Sequence, residues 1–289
     1  MSTTRSQKAL VILSGGQDST TALFWAKSIY KEVHAVTFDY GQTHRAEIVA
    51  AQRVACLADV ATHHFVQLGP ILESTSPLTD PQQPLEQYGS FEAMQETIGA
   101  RIEKTFVPMR NALFLVLAAN RAVALGCNVL VTGICQADGA NYPDCTRYFI
   151  DATQMMISEA LGQRGCDDDE KVRITAPLLD KSKADSIHLA LEIPGCFPAL
   201  AFTHTAYDGK YPPTCKDHAS VLRARGFEEV WFPDPLVIRA VMEGLIGLPS
   251  TDNYRAGPII HAVARDIRKA KLKLGLEVDN NTTLGVHEC

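Results

Sequence analysis

The sequence predicts an α/β protein built on a parallel sheet. Three observations favour this class: apolar runs of strand length alternate with helix-forming segments, several of the runs end at glycine, and 46% of the 289 residues are hydrophobic. Strands buried on both faces read as continuous apolar runs, and alternation with helices is typical of parallel sheets. A chain of this size and composition can form a substantial core.

The predicted elements follow one another along the chain. Strands are expected at 9–13, 33–38, 63–68, 129–133 and 172–179, and helices at about 21–27, 46–57, 112–125, 146–161, from Lys183 onward, 236–246 and 258–274. Residues 69–95 are rich in Pro, Ser, Thr, Gln and Glu and show little periodicity. We expect them to form a mobile lid or a disordered segment.

A glycine turn joins the first strand to the first helix. Residues 9–13 are apolar, and Ser-Gly-Gly-Gln-Asp-Ser-Thr follows at 14–20. Such a turn offers backbone N–H groups and the positive end of a helix dipole to an anion, and Ser14, Ser19 and Thr20 add hydroxyl donors. The turn lacks the Gly-Lys-Ser/Thr ending of a Walker loop and the spacing of a dinucleotide fingerprint. The sequence therefore predicts a phosphate site of another kind.

Two cationic side chains are predicted near the same sheet edge, where ligands of parallel sheets collect. Arg110 starts a helix beside Asn111, and Lys183 lies in the first turn of the helix after the last strand. A cation there is not stabilised by the helix dipole, which favours an anion in front of it. The alternatives are a capped helix with a surface arginine and a solvated lysine.

The loop after the strand at 129–133 carries candidates for a flat ligand. Asp138 and Asp144 could bind the edge of a purine-like ring or ligate magnesium, and Tyr142 could stack on a heterocycle. His63 and His64 are paired, but they are expected to lie within a strand rather than to bind a metal.

Composition excludes several classes. The net charge is −6, which gives no electrostatic footprint for nucleic acid, and no window is long and apolar enough to span a membrane. The N-terminus lacks the apolar region of a signal peptide. Eight cysteines are scattered and include no Cys-x-x-Cys pair. We expect a cytoplasmic protein with most of its cysteines as buried thiols.

The turn at 14–20 resembles the pyrophosphate loop (PP-loop) of the ATP pyrophosphatases. Further motifs occur in order along residues 7–230: Thr37 to Gln42, His44 to Glu47, Phe106 to Asn111, Thr132-Gly133, Tyr142 to Cys145, Pro177-Leu178 and Lys183-Ala184. Together they resemble the QueC family, the 7-cyano-7-deazaguanine synthases of queuosine and archaeosine precursor synthesis.

The resemblance implies a Rossmann-like sheet with helices on both faces, of the adenine nucleotide α-hydrolase-like type, with a PP-loop ATP-binding domain over 1–200. The residues after about Glu228 extend beyond what the resemblance needs, and their apolar patterns predict a helical C-terminal extension. We therefore expect a helical region over 201–289 in place of the family's zinc-binding segment. It also implies ATP with Mg²⁺, and 7-carboxy-7-deazaguanine and ammonia as substrates. One ATP activates the acid as an acyl adenylate, ammonia gives the amide, and a second ATP removes the amide oxygen to leave the nitrile.

The resemblance also implies roles for individual residues. Asp18, as a magnesium ligand, and Arg110 and Lys183, as phosphate cations, are the expected catalytic residues. The expected nucleotide-binding residues are Ser14, Gly15, Gly16, Gln17, Asp18, Ser19, Thr20, Asp39 and Gly133. Tyr142, Pro143, Asp144 and Cys145 are expected to line the deazaguanine pocket.

The chain departs from the family pattern at its zinc site. Four cysteines of the family align with Ala206, Thr214, Asp217 and Ser220, so the usual thiolate site is expected to be absent. A shifted site from Cys196, His204, Cys215 and His218 is left open. Met109 replaces a glycine, which is expected to alter pocket shape, Thr43 replaces a basic residue, and Ala140-Asn141 replace Ser-Gly.

The sequence is compatible with three functions. The first is synthesis of 7-cyano-7-deazaguanine. The second is a related ligase that couples the same acid to a protein or nucleic-acid amine, or stops at the amide. The third is a non-catalytic nucleotide-binding subunit, against which the intact loop, Arg110 and Lys183 argue. We expect a homodimer, and the C-terminal helices could either cover the parent domain or contact a partner protein.

Overall fold

A computed structural model describes residues 8–135, 141–167, 170–213 and 216–254, and the pairs 265–266, 269–270 and 272–273. Five parallel strands form one sheet in the order β3-β2-β1-β4-β5. The strands are β1 (Lys8–Ile12), β2 (Glu32–Asp39), β3 (His63–Gln67), β4 (Val129–Val131) and β5 (Arg173–Thr175). In the central register, Val11 of β1 lies between Ala35 and Val131.

Helices connect the strands and follow the last one. They are α1 (Gln17–Ile29), α2 (Ala46–Leu57), α3 (Phe91–Ile98), α4 (Arg110–Leu125), α5 (Arg147–Ala160), α6 (Lys183–Glu192), α7 (Cys196–Ala199), α8 (His218–Glu229) and α9 (Pro235–Met242). Single turns of 3₁₀ helix occur at Pro143–Cys145, Leu200–Phe202 and Asp252–Tyr254.

The sheet carries a core on each face, as the sequence predicts. Ala9 and Val11 of β1 pack on one face with apolar residues of α1, α2, α6, α7 and α8. Leu10 packs on the opposite face with residues of α4 and α5. Because successive strand residues point to opposite faces, a continuous apolar run serves both layers. The α/β fold with helices on both faces is confirmed.

Several elements differ from the sequence-based expectation. Residues 69–95 were expected to lack regular structure, but α3 begins within them at Phe91. Tyr88 is buried, and its backbone N–H donates to the carbonyl oxygen of Lys216 at 2.7 Å. The last strand is shorter than predicted, because the chain turns after Thr175. α3, α7 and α8 had not been predicted.

The second predicted C-terminal helix, 258–274, falls largely outside the described residues. The first corresponds to α9, whose buried residues include Leu236 and Val241. Arg239 fastens α9 to the parent fold, since its Nη1 donates to the carbonyl oxygen of Ala201 at 2.8 Å. The apolar face of α9 is thus covered at least in part by the chain itself. None of the described helices combines the length and apolar character needed to cross a bilayer.

Candidate active site

A cavity of about 290 Å³ lies at the carboxyl end of the sheet. It is walled by the segments after β1, β2 and β4, by the starts of α4 and α6, and by the segment around residue 204. Parallel sheets bind their ligands at this edge. Ten of the residues predicted from sequence line it: Ser14, Gly16, Gln17, Asp18, Ser19, Arg110, Gly133, Tyr142, Cys145 and Lys183.

The glycine turn is shaped by its own hydroxyls and by close backbone contacts. Ser14 Oγ and Ser19 Oγ are 3.0 Å apart, and the N–H of Gly16 donates to Ser14 Oγ at 3.3 Å. Gly15 has φ +91°, and a Cβ there would stand 2.2 Å from the carbonyl oxygen of Glu47. Only glycine fits this conformation and this approach. The turn ends at Gly16, which caps the N-terminus of α1.

Gln17 places a buried amide on the cavity wall. Its side chain is only 6% exposed, and its Nε2 and Oε1 make no hydrogen bond to the described residues. The Thr20 hydroxyl is fully buried nearby on the same helix, and it also makes no hydrogen bond to the described residues. Buried polar groups in proteins are nearly always satisfied. The Gln17 amide is therefore suited to bind a polar ligand.

Lys183 contacts the glycine turn directly. Its Nζ lies 3.1 Å from Oδ1 and 2.9 Å from Oδ2 of Asp18. Both side chains are largely buried. The sequence predicts an anion in front of Lys183, and in this structure that anion is the Asp18 carboxylate. The pair places one cation and one candidate metal ligand at the same point of the cavity.

Arg110 brings a second positive charge to the wall. Its Nη1 donates to the hydroxyl of Tyr40 at 3.5 Å. Glu47 lines the cavity close by. Burial raises the pKa of Glu47, while the nearby His44 and Arg110 act in the opposite direction. The site therefore holds two cations, a carboxylate paired with one of them, and a second carboxyl that is more easily protonated than usual.

Tyr142 is held by a buried carboxylate. Its hydroxyl lies 2.5 Å from Thr105 Oγ1 and donates to Glu103 Oε2 at 3.3 Å. Glu103 also accepts from the backbone N–H of Thr105 at 2.7 Å and from the hydroxyl of Tyr88 at 3.2 Å. Burial raises the pKa of Tyr142 well above its ordinary value, so the phenol stays a donor. The ring is fixed at the cavity wall.

Five predicted residues do not line the cavity: Gly15, Thr20, Asp39, Pro143 and Asp144. Asp39 forms an ion pair with Arg45, with Oδ2 and Nη2 2.5 Å apart. Asp144 Oδ2 accepts from the backbone N–H of Asn111 at 3.4 Å, and burial raises its pKa. Asp144 therefore supports the start of α4 in this structure. Asp138 lies outside the described residues.

Met109 does not change the pocket as expected. It adopts the left-handed conformation with φ +64°, directly before α4. Its side chain is 67% exposed and does not line the cavity. The backbone conformation explains why glycine suits this position. Thr43 and Asn141, the other substituted positions that the structure describes, do line the cavity.

The sequence-based prediction gives no nucleotide- or substrate-binding role to several residues that line the cavity, and it considers His204 only for the shifted zinc site. Tyr40 and Glu47 lie within the quoted motifs, so their position in those motifs was a usable signal. His204 and Tyr207 come from a segment after α7 that returns to the glycine turn, where the N–H of His204 donates to the carbonyl oxygen of Gly15 at 2.9 Å. A contact between residues so far apart in sequence cannot be predicted from a local sequence pattern.

The zinc site implied by the family resemblance does not fit the residues present. The structure describes three of the four positions that hold cysteines in the family, and they are occupied by Ala206, Asp217 and Ser220. The fourth, Thr214, lies outside the described residues. Over the described parts of the chain, no group of three or more His, Cys, Asp or Glu side chains could hold a metal ion.

The three described residues of the shifted zinc site are not brought together as metal ligands. Cys196 packs in the core beside α1, and burial raises the pKa of its thiol to about 12. His204 Nε2 lies 2.7 Å from the carbonyl oxygen of Ala206. His218 lines the cavity, and Cys215 lies outside the described residues.

The parallel sheet, the glycine turn at a helix start and the two cations around one cavity define a nucleotide-binding protein of the PP-loop class. Comparison with known proteins gives the family. The model of the family described as "Queuosine biosynthesis protein QueC" matches residues 8–231, and the chain belongs to this family.

Its relatives include proteins named 7-cyano-7-deazaguanine synthase. The protein of Gloeobacter violaceus is 44% identical over 80% of this chain and 95% of its own length. Those of Laribacter hongkongensis and Chromobacterium violaceum are 41% and 40% identical, over 81% and 82% of this chain and 95% and 96% of their lengths.

Proposed function

We propose that this protein is an ATP-dependent C–N ligase that converts 7-carboxy-7-deazaguanine and ammonia into 7-cyano-7-deazaguanine. One observation carries the proposal: the glycine turn, Arg110, Lys183 and Tyr142 surround a single cavity in a chain of the QueC family. The names and identities of the relatives support the same reaction. An enzyme of this kind is expected in the cytoplasm, where ATP is available.

The chemistry needs a good leaving group twice. A carboxylate oxygen attacks the α-phosphorus of ATP and expels pyrophosphate, which gives an acyl adenylate. Ammonia then attacks the acyl carbon, and AMP leaves with the former carboxylate oxygen. The amide oxygen then attacks the α-phosphorus of a second ATP and expels pyrophosphate, and loss of AMP and two protons leaves the nitrile. Such steps depend mainly on positioning and on charge neutralisation.

The residues of the cavity suit these needs. Backbone N–H groups of the turn and the hydroxyls of Ser14 and Ser19 bind the departing pyrophosphate. Arg110 and Lys183 neutralise the charge that develops on the phosphates. Lys183 is already held beside the turn by Asp18, so it needs little rearrangement to contact a phosphate. Tyr142 offers a fixed aromatic ring for the deazaguanine.

Magnesium fits the donors of the cavity. Mg²⁺ is usually held by one or two carboxylates together with substrate phosphates. Asp18 is the expected ligand, and Glu47 is a second carboxyl on the same wall. When bound, the ion would supply further neutralisation of phosphate charge. Lys183 would then share the Asp18 carboxylate with the metal.

The proposal is tested by incubating purified protein with the acid, ATP, Mg²⁺ and ammonium, and by following AMP and product mass. We expect the nitrile. Lys183→Met should lower kcat/KM by about 10²–10³-fold, the usual effect of removing one charge-stabilising donor. Lys181→Met, two residues earlier and off the cavity wall, is the matched control and should keep full activity.

Other outcomes would redirect the assignment. AMP without nitrile would favour the ligase that couples the acid to another amine or stops at the amide. Absence of AMP would favour a nucleotide-binding subunit. No feature of the cavity favours either alternative over the synthase. A homodimer and a protein partner for the C-terminal region remain predictions, to be checked by light scattering.

A further inference from the structure

A buried carboxylate stands at one of the positions that zinc cysteines occupy in the family. Asp217 is 2% exposed, and its Oδ1 accepts from the backbone N–H of Ser220 at 3.1 Å. Its Oδ2 accepts from Ser220 Oγ at 2.7 Å. The backbone of Tyr207, the residue after Ala206, also hydrogen-bonds to this carboxylate. Two of the four family cysteine positions, Asp217 and Ser220, thus meet through hydrogen bonds, and the residue next to a third position joins them.

Arg223, one turn further along α8, forms a second link. It is 3% exposed, and its Nε and Nη2 donate to the two carboxylate oxygens of Asp234 at 2.6 and 2.8 Å. Its Nη1 donates to Thr203 Oγ1 at 2.7 Å and to Thr205 Oγ1 at 2.9 Å. Its Nη2 also donates to the carbonyl oxygen of Leu200 at 3.2 Å. All five N–H donors of the guanidinium are used.

Asp234 provides the negative charge for this pair from the start of α9. Asp234 caps α9, because its Oδ1 accepts from the backbone N–H of Leu236 at 2.8 Å. Asp234 therefore supplies the anion that makes a deeply buried arginine tolerable, since a buried charge needs a paired and hydrogen-bonded partner.

We propose that the Asp217 cluster and the Arg223–Asp234 pair replace the family's zinc, so that this chain fastens residues 200–207 to α8 without a metal. A structural zinc holds distant segments together by binding thiolates, and it contributes directly to folding. Here a fully satisfied ion pair joins residues 200–205, α8 and α9. The fastened segment carries His204, Thr205 and Tyr207 onto the cavity wall.

The first test is metal content. The full-length protein, expressed in zinc-supplemented medium and purified without chelator, is analysed by mass spectrometry of its metals. We expect well below one zinc per chain and a Tm that a strong zinc chelator does not change. About one zinc per chain, together with a Tm that falls on chelation, would overturn the proposal.

The second test addresses the ion pair. Asp234→Asn and Arg223→Lys should each lower Tm by about 10 °C, as expected for breaking one partner of a buried pair. Arg225→Gln is the matched control on the same helix, because Arg225 pairs with Glu229 at the surface and such pairs contribute little. A Tm in both Arg223 and Asp234 variants equal to that of the control would overturn the role of the pair.

Discussion

At the scale of single residues, the site is defined by side chains whose partners lie far away in sequence. Lys183 reaches Asp18, and Tyr142 reaches Glu103. The position of Lys183 at a helix start made an anion predictable. The burial of Glu103 could not be predicted in this way, because an isolated glutamate near a proline is typical of a surface loop.

The ring of Tyr142 supports a prediction on substrate binding. Tyr142→Ala should raise KM for the deazaguanine acid by about 5- to 150-fold, since stacking of one base on an aromatic side chain is worth about 1–3 kcal/mol. KM for ATP should change much less, because the phosphate-binding groups remain. Steady-state kinetics with each substrate varied in turn measures both constants.

Tyr148 provides the control for that variant. It is a tyrosine six residues later that is 88% exposed on α5 and does not line the cavity. Tyr148→Ala should leave both KM values unchanged. An equal rise in KM for the two alanine variants would show that the effect does not come from stacking in the cavity.

At the scale of elements, the glycine turn depends on the strand beside it. Gly133 follows β4 and packs against the first turn of α1. A Cβ at this position would stand 2.7 Å from the backbone nitrogen of Ser19 and 2.8 Å from its Cα. These neighbours are backbone atoms, so a side chain can be accommodated only by moving the helix start.

Gly133→Ala should therefore weaken ATP binding by about 10-fold or more and destabilise the fold by about 1–3 kcal/mol, as overpacking does. Titration calorimetry and urea unfolding provide the two measurements. Gly89→Ala is the control, because a Cβ at Gly89 meets no atom within 4 Å. Wild-type ATP affinity in Gly133→Ala would contradict this account of the turn.

The sequence predicts the elements that have a clear periodicity of apolar residues or a continuous apolar run, and it does not predict the others. The buried strands and α4 follow from their composition. α8 has a buried arginine and a glycine in a polar sequence, so its pattern resembles a solvated loop. α3 has only eight residues, capped by Ser90, after a long stretch rich in turn formers. Packing against α8, rather than local propensity, orders this region.

At the scale of the whole molecule, one histidine links pH to stability. His63 lies on β3 at the edge of the sheet, and its Nε2 is 2.8 Å from Thr37 Oγ1. The Thr37 hydroxyl donates to the carbonyl oxygen of Leu13 at 2.6 Å, so the imidazole donates to it. Burial, with a smaller effect of His64, lowers the pKa of His63 from 6.5 to about 4.

The folded protein therefore resists protonation at His63, whereas the unfolded chain accepts the proton. The stabilisation is complete above pH 6.5 and is lost as pH falls toward 4. We expect a loss of at most about 2 kcal/mol, because the imidazole is only partly buried and solvent screens part of the shift. Urea unfolding at several pH values measures it.

His63→Gln should remove this part of the pH dependence and flatten the curve between pH 6.5 and 4. His188→Gln, at an exposed position on α6, should leave the slope of the wild type. Identical slopes in wild type and His63→Gln would mean that other groups account for the acid sensitivity.

The hydrogen bond from His204 to Gly15 has a consequence for biosynthesis. The loop after the first strand gains one of its hydrogen bonds only when a segment made much later folds back onto the Gly15 carbonyl oxygen. When the ribosome has translated the chain up to α6, the loop is complete, but His204, which donates to the Gly15 carbonyl oxygen, has not yet been made. We therefore expect the nascent chain to reach its full nucleotide affinity only after residue 204 has left the exit tunnel.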